Sequence, residues 1–501
     1  MERKFLIRRF IRTLTGICAL VLILAGPSWG EDSPNSLKPV SIKPISMKPV
    51  SLPADDPTDD DAPMEDLLNQ TGGADTLPGV SGKEDRLWPV RFEGELVSSL
   101  WAPIKDSSHF YTSNRLDLTG WGNLSDIELR GSLRLDYQNL EGEDKTRADA
   151  RELYGKYQTP SENGRYAELL VGKKILYWGK GDEIRPMDRV CPQDYTAFLF
   201  YDMNDRKTGR IGSFLNLNLA HGLRFEGFWS PYFETDQTPG LGDYFEPPAL
   251  KKLSASGIAV HDTESKDEWA TDAGLGGRLL FSLFKADLAI YAFSGKDSSP
   301  TYMIDEIGIH PLFGFPVPRS IAAEYPRMTL YGADIERSIG PFVLRAEASY
   351  QPDGAFFQVD WQNHPMLLQT YPNGMVEKEQ AQYVFGLDRN DLFVRNLFFN
   401  LQYFGRYLMD RDADMVDSSS RTGMTGFLRY SFLDSRAIAS YRFTAFLEGK
   451  DQRHRVEISY KPLSWVQVSL GGIWYQGDSP NGYFSQYDDR DFIYGKLKLV
   501  F

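Results

Sequence analysis

"DIELRGSLRLDYQ", Asp126 to Gln138, is the stretch that decides the fold. In an extended chain, Ile127, Leu129, Gly131, Leu133, Leu135 and Tyr137 share one face. Asp126, Glu128, Arg130, Ser132, Arg134, Asp136 and Gln138 share the other. One such segment also suits a globular strand lying on a core. The rest of the chain breaks the tie. The alternation returns in "FLNLNLA", "LRFEGFW", "VLRAEASY", "LFFNLQYFGRY", "SYRFTAFLE", "RVEISYK" and "VQVSLGGIWY". From Trp88 onward no long stretch has a helical period.

About 18 strands (16–18) are expected. Their spans are 88–104, 109–121, 126–140, 147–159, 164–177, 208–219, 222–232, 269–282, 284–295, 326–338, 341–352, 377–389, 394–407, 421–433, 436–449, 452–462, 465–476 and 490–501. The connectors sort by parity. Every even one is short ("NLS", "SENG", "HG", the bend near Phe284, "IGP", "RND", "DS", "PLS"). The odd ones include every long one: 178–207, 233–268, 296–325, 353–376, 408–420 and 477–489. A soluble sandwich has no reason to sort loops this way. An antiparallel up-and-down transmembrane β-barrel does, with short turns on one rim and long loops on the other. An even strand number puts both ends of the barrel sequence on the short-turn, periplasmic side. The last strand, "DFIYGKLKLVF", alternates and ends on Phe501, which resembles the signal read by the barrel-assembly machinery of the outer membrane. Tyr137, Tyr157, Trp229, Tyr350, Tyr407, Tyr430, Tyr460 and Trp474 lie near strand ends on apolar faces, as interfacial girdles do.

Composition is consistent with a barrel. Formal net charge is −14 and the isoelectric point about 5.1, which argues against a nucleic-acid partner. Mean hydropathy is −0.39, and alternating membrane strands keep that average low. Residues 1–30 read as a signal peptide: a basic start, the apolar run "LTGICALVLILAG", then Pro27 and small residues before a cut after Gly30. Residues 31–82 read as a disordered periplasmic arm. Its "SLKPVSIKPISMKPVSLP" repeat forbids helix, and "ADDPTDDDAPMED" is strongly acidic. The barrel is expected over 83–501.

Polar faces then line the interior. They carry Glu128, Arg130, Arg134, Asp136, Glu152, Lys156, Arg224, Glu226, Arg345, Glu347, Arg406, Arg429, Arg442, Arg455, Glu457, Lys496 and Lys498. Two readings stay open. These charges neutralise one another across neighbouring strands, or they form a charged constriction that steers solutes, with Arg406, Arg429, Arg442 and Arg455 as a cation ladder. The third outer loop, Tyr177 to Arg210, mixes Asp182, Glu183, Arg185, Asp188, Arg189 and Asp194 with the apolar patch Phe198–Tyr201. That mixture suggests a loop that folds inward and docks on the wall, as a constriction or as a structural plug. Cys191 reads as a buried thiol.

"VGKKILYWG" followed by "GDEIRPMDRVCPQDYT" resembles a pattern in large outer-membrane barrel proteins akin to the alginate-export porins. The resemblance covers about thirty residues. This chain has Lys173 or Lys174 where those proteins have Arg, and Cys191 where they have Asn. It implies a monomeric eighteen-stranded barrel and a channel, and carries over no ligand set.

No HExxH, CxxC, GxSxG or haem motif occurs, and the six histidines are scattered. Asp410, Asp412 and Asp414 lack the glycine and closing Glu of a calcium loop. No enzyme, cofactor or metal site is expected. The expected function is a porin-like outer-membrane channel for polar or charged solutes. The alternative is a structural, adhesive or partner-bearing barrel with a plugged lumen.

Overall fold

In this computed structural model the described residues are 90–105, 110–140, 143–220, 222–261, 272–478 and 482–501. The expected leader (1–30) and arm (31–82) lie outside them. The period-two segments form an 18-stranded sheet. The strands are β1 Arg91–Pro103, β2 Tyr111–Leu124, β3 Ile127–Leu140, β4 Glu143–Gln158, β5 Tyr166–Lys174, β6 Arg210–Ala220, β7 Leu223–Ser230, β8 Gly274–Leu283 and β9 Ala286–Lys296. They continue as β10 Arg327–Ile339, β11 Phe342–Gln351, β12 Gln380–Arg389, β13 Leu397–Leu408, β14 Ser420–Phe432, β15 Ala437–Phe446, β16 Gln452–Leu463, β17 Val466–Gln476 and β18 Phe492–Val500. Each expected strand is present, with ends shifted by a few residues. The largest gain is in β4, which begins at Glu143.

Every strand pairs antiparallel with its neighbours in sequence, and β18 pairs antiparallel with β1, from Val500 opposite Glu95 to Phe492 opposite Pro103. Gly94 and Phe501 extend that seam by exchanging both backbone hydrogen bonds, at 2.6 and 2.9 Å. The sheet is therefore a closed barrel with no open edge. The short turns use positive φ where the chain must reverse quickly. Ser125 has φ 54°, and Phe284 and Lys285 have 55° and 59°, a reversal usually made by Asn-Gly.

The faces are inverted relative to a soluble protein. Leu129, Leu133, Leu153, Leu169, Val171, Leu275, Ile290, Leu344, Phe385, Ile458 and Leu470 are exposed on the outside. Arg115, Arg134, Asp136, Asp334, Glu336, Arg345, Glu347, Asp388 and Arg453 are buried on the other face. Tyr137, Tyr157, Trp229, Tyr350, Tyr407, Tyr430 and Tyr460 are exposed near strand ends, and Trp474 is half-buried.

The long loops carry structure that the sequence reading left blank. Short helices span Met203–Arg206 (α1) and Pro248–Ala255 (α2). Segments Thr301–Ile309, Pro316–Glu324 and Ala259–His261 make a small three-stranded sheet. Leu250, Ile304, Ile321, Val359, Trp361 and Leu368 form a separate apolar core beneath it.

Closure generates a test. Removal of Phe492–Phe501 leaves β1 and β17 as two unpaired edges. The truncated chain is expected to yield no heat-modifiable folded band on a gel after refolding in detergent. A normal folded band would mean that the seam is dispensable.

Candidate functional site: the loop between β5 and β6

Residues 175–209 connect β5 to β6 and are here called loop L3. At its start, Trp178 is buried between Phe228 and Tyr291, with ring centroids 5.7 and 5.4 Å away. The next turn wraps the carboxylate of Glu347 on β11. The backbone N–H groups of Lys180 (2.8 Å), Gly181 (3.2 Å) and Met187 (2.7 Å) all donate to it. Two glycines make the approach possible. A Cβ on Gly179, at φ +84°, would lie 2.4 Å from Glu347 Oε2. A Cβ on Gly332 of β10 would lie 2.2 Å from the Met187 sulfur.

Further along, L3 reaches other strands of the wall. The Asp182 N–H donates to Gln402 Oε1 on β13 at 3.2 Å. Glu183 accepts from Arg442 and Thr444 of β15 at 2.8 and 2.9 Å, and from Arg453 of β16 at 2.9 and 3.1 Å. Burial would push the Glu183 carboxyl up. Arg453 and Arg442 outweigh it and hold the group well below the usual carboxylate range.

The apolar patch docks at the closing seam. Ala197, Phe198, Phe200 and Tyr201 join Trp101, Tyr111, Ile473, Tyr475, Phe492 and Tyr494 in one buried cluster. Phe200 lies 4.4 Å from Trp101 and 5.0 Å from Tyr494, centroid to centroid. The Tyr201 hydroxyl meets Ser113 Oγ at 2.5 Å. The Arg115 guanidinium stacks 3.7 Å above the Tyr201 ring.

Charged contacts flank this dock. Asp194 accepts from Arg147 at 2.5 Å and lies 3.5 Å from Arg115. Arg134 makes a bidentate pair with Asp117, both bonds 2.7 Å, and donates to the Asp205 carbonyl at 2.6 Å. Arg455 donates to the Phe200 carbonyl (2.9 Å), Asp202 (3.3 Å), Glu457 (3.0 Å) and the Tyr494 hydroxyl (3.0 Å). Within L3, Asp188 pairs with buried Lys207 and lies 3.4 Å from Arg185. Arg189 pairs with Asp297 and donates to Gln351 at 3.1 Å.

Of the residues singled out from the sequence, L3 thus brings together Arg134, Asp182, Glu183, Arg185, Asp188, Arg189, Asp194, Glu347, Arg442 and Arg455. The others stand apart from it. Arg130 pairs with Glu152 at 3.5 Å. Arg345 pairs with Glu336 at 2.8 Å and Asp388 at 3.1 Å. Arg406 pairs with Asp417 at 2.6 Å. Arg429 lies 5.5 Å over the Phe398 ring and has no carboxylate at ion-pair distance among the described residues. The late arginines are therefore not a ladder of open cations. Asp417 in the connector after β13 pairs with Arg406, L3 supplies Glu183 to Arg442, and Arg455 is met by Asp202 of L3 and by Glu457 on its own strand. Sequence reasoning missed Arg453, Arg115, Arg147 and Lys207. Arg453 shares a face with Arg455 and Glu457 and was legible by parity. Lys207 sits in a loop and left no pattern. No group of three or more His, Cys, Asp or Glu among the described residues could hold a metal ion.

Glu183→Gln tests the charged dock. Removing one partner of a buried ion pair costs roughly 3–5 kcal/mol, and the amide keeps part of the hydrogen bonding, so a loss of about 3 kcal/mol is expected. Proteolytic cleavage within 180–206 should rise at least tenfold. The sign with pH follows from the depressed carboxyl: this docking is full above the ordinary Glu pKa and is lost as pH falls toward the depressed value. Wild-type L3 should gain protease sensitivity in acid, and the variant should lose that pH dependence.

The family of proteins of unknown function DUF1302 matches residues 106–453, more than half the chain. No curated protein matches by sequence. Among solved structures, Pseudomonas aeruginosa OccK5 (OpdH) is 12% identical, with 82% of this chain and 97% of that chain covered at a TM-score of 0.45. Acinetobacter baumannii OccAB3 is also 12% identical, with 82% and 99% covered at 0.45. Pseudomonas aeruginosa OpdK, solved with vanillate, is 10% identical, with 82% and 98% covered at 0.45. The barrel assignment rests on the strand register, not on these likenesses. By the extent of its family match, the chain is a member of the DUF1302 family.

Proposed function

We propose that this protein is an outer-membrane channel for polar or charged solutes, narrowed by L3. The observation that supports this reading is a closed barrel with apolar residues exposed and charged residues buried on opposite strand faces, and with L3 contacting several of its strands. A continuous apolar exterior on a water-soluble protein would drive aggregation. Against lipid it is the favoured surface, and the aromatic residues near both ends of the strands fit the two interfaces. A wet, ion-paired interior suits a polar cargo better than a hydrocarbon. The expected leader would carry the chain across the inner membrane, and the arm would sit in the periplasm. The terminal strand ending on Phe501 would engage the assembly machinery.

A second reading has its own observation. L3 is pinned by aromatic packing on one side and by ion pairs on another, as a permanent plug would be. A barrel so plugged would serve as an anchor or partner-bearing element.

Planar-bilayer conductance of the refolded barrel separates the two. The channel reading expects steady current in KCl and a several-fold larger current after deletion of residues 182–205. No current from either form would favour the plug. The reversal potential in a salt gradient would report which sign of charge prevails. The lipid-facing assignment has its own test in Leu153→Arg and Leu470→Arg. A surface charge on a soluble protein is nearly neutral, whereas Arg facing mid-bilayer costs roughly 2–4 kcal/mol. Urea unfolding from liposomes should show a loss of that size.

A further inference from the structure

A cavity of about 180 Å³ lies between L3, the loops after β7 and β9, and β12. It is lined by charged groups that mostly satisfy one another. Arg189 is taken by Asp297 and Gln351. Asp188 is taken by Lys207 and Arg185. Two groups are left over. Asp236, only 7% exposed, accepts from the Gln193 N–H at 2.8 Å and from Ser299 Oγ at 2.6 Å. It has no cation at ion-pair distance among the described residues. Arg210, whose charge is felt by Asp236, instead lies over the Phe228 and Phe293 rings, at 5.9 and 5.5 Å. Gln193, 8% exposed, has a buried side-chain oxygen with no hydrogen-bond partner.

A buried carboxylate without a counter-ion lacks a positive charge, and a buried acceptor without a donor lacks an N–H or O–H. An ammonium or amidinium group supplies charge to the one and N–H to the other. We propose that this cavity binds a small organic cation, held by the Asp236 carboxylate and the Gln193 side-chain oxygen. The volume equals that of roughly six waters, which limits the ligand to a few heavy atoms around the charged group. Burial pushes the Asp236 carboxyl up, and Asp297 nearby adds to the shift. A bound cation would reverse that trend, so binding and ionisation of Asp236 reinforce each other. The site deepens the channel reading by giving the pore a class of solute, and it rests on that reading only for its biological meaning.

The test is calorimetric titration of the refolded full chain in detergent, near neutral pH and at about 150 mM salt, where surface charge is screened. Three probes of matched length are used: 1,4-diaminobutane, 1,4-butanediol and succinate. Saturable binding of the diamine is expected, at least tenfold tighter than the diol, with no binding of succinate. Gln193→Met keeps side-chain size, removes the orphan acceptor and should weaken the diamine several-fold. Asp236→Asn should abolish the preference over the diol. Both variants are first checked for the heat-modifiable folded band. Equal affinity for diamine and diol, a preference for succinate, or a preference unchanged in Asp236→Asn would each overturn the proposal. A barrel that binds the diamine but carries no current keeps the site and removes the channel. A barrel that conducts without cation preference removes the site alone.

Discussion

Closure of the sheet between β18 and β1 is the constraint on which the rest depends. A closed barrel has an inside, and only an inside lets charged side chains leave the apolar exterior without a soluble core to bury against. The seam also departs from the polar-inside rule. Trp101, Tyr111, Phe492 and Tyr494 are buried there as a cluster of aromatic rings. Lower on β18, Lys496 and Lys498 follow on the same face and pair with Glu457 and Glu95. One strand thus changes from aromatic to cationic along its inner face. The aromatic part coincides with where L3 lands, and that landing is what makes inward aromatics tolerable.

The two docks of L3 do different work, and magnitude separates them. Burying a large apolar side chain contributes roughly 1.5–3 kcal/mol, and L3 buries Phe198, Phe200 and Tyr201 together. A buried ion pair roughly breaks even once desolvation is counted, although cutting it in half is costly. The aromatic dock therefore supplies most of the holding energy. The charged dock sets where the loop lies, because Glu183 is satisfied only where Arg442, Arg453 and Thr444 converge. A loop held this way keeps its place without a large net contribution from its charges.

Strands and the alternation of short turns with long loops were legible in the sequence because each is local. The period of two in Asp126–Gln138 needs no distant partner to be read, and the short turns mark their own ends. The Phe198–Tyr201 patch set among charges suggested that L3 would touch the wall, and those residues do pack on it. The partners of those charges were not. Glu183 and Arg442 are 259 residues apart, and their meeting depends on barrel circumference and register. Arg429 and Arg442 look alike in sequence and both lie over aromatic rings, yet only Arg442 also reaches a carboxylate. The outer loops were opaque for a related reason. Helix α2 and the small sheet share one core of Leu250, Ile304 and Trp361 contributed by three separate loops, so none of them has a complete apolar face of its own. The turn at Phe284–Lys285 lacks the Asn-Gly signature altogether, and only its flanking strands reveal it.

Pairing also decides which charges a passing solute would feel. A carboxylate and a guanidinium in contact present a dipole whose field falls off quickly, so Arg442 with Glu183, or Arg345 with Glu336, steers little. The count of charged residues on the wall is therefore a poor guide to selectivity. The groups that matter are those left without a counter-ion. Arg429 is one, half-covered by Phe398. Asp236 is another, enclosed by L3 and its neighbouring loops with Gln193 beside it. They have opposite sign and belong to different parts of the barrel, a strand of the wall and the loops of the outer rim. A solute approaching from the long-loop side would meet the acid first. Selection would then begin in the loops, before the ion-paired wall is reached.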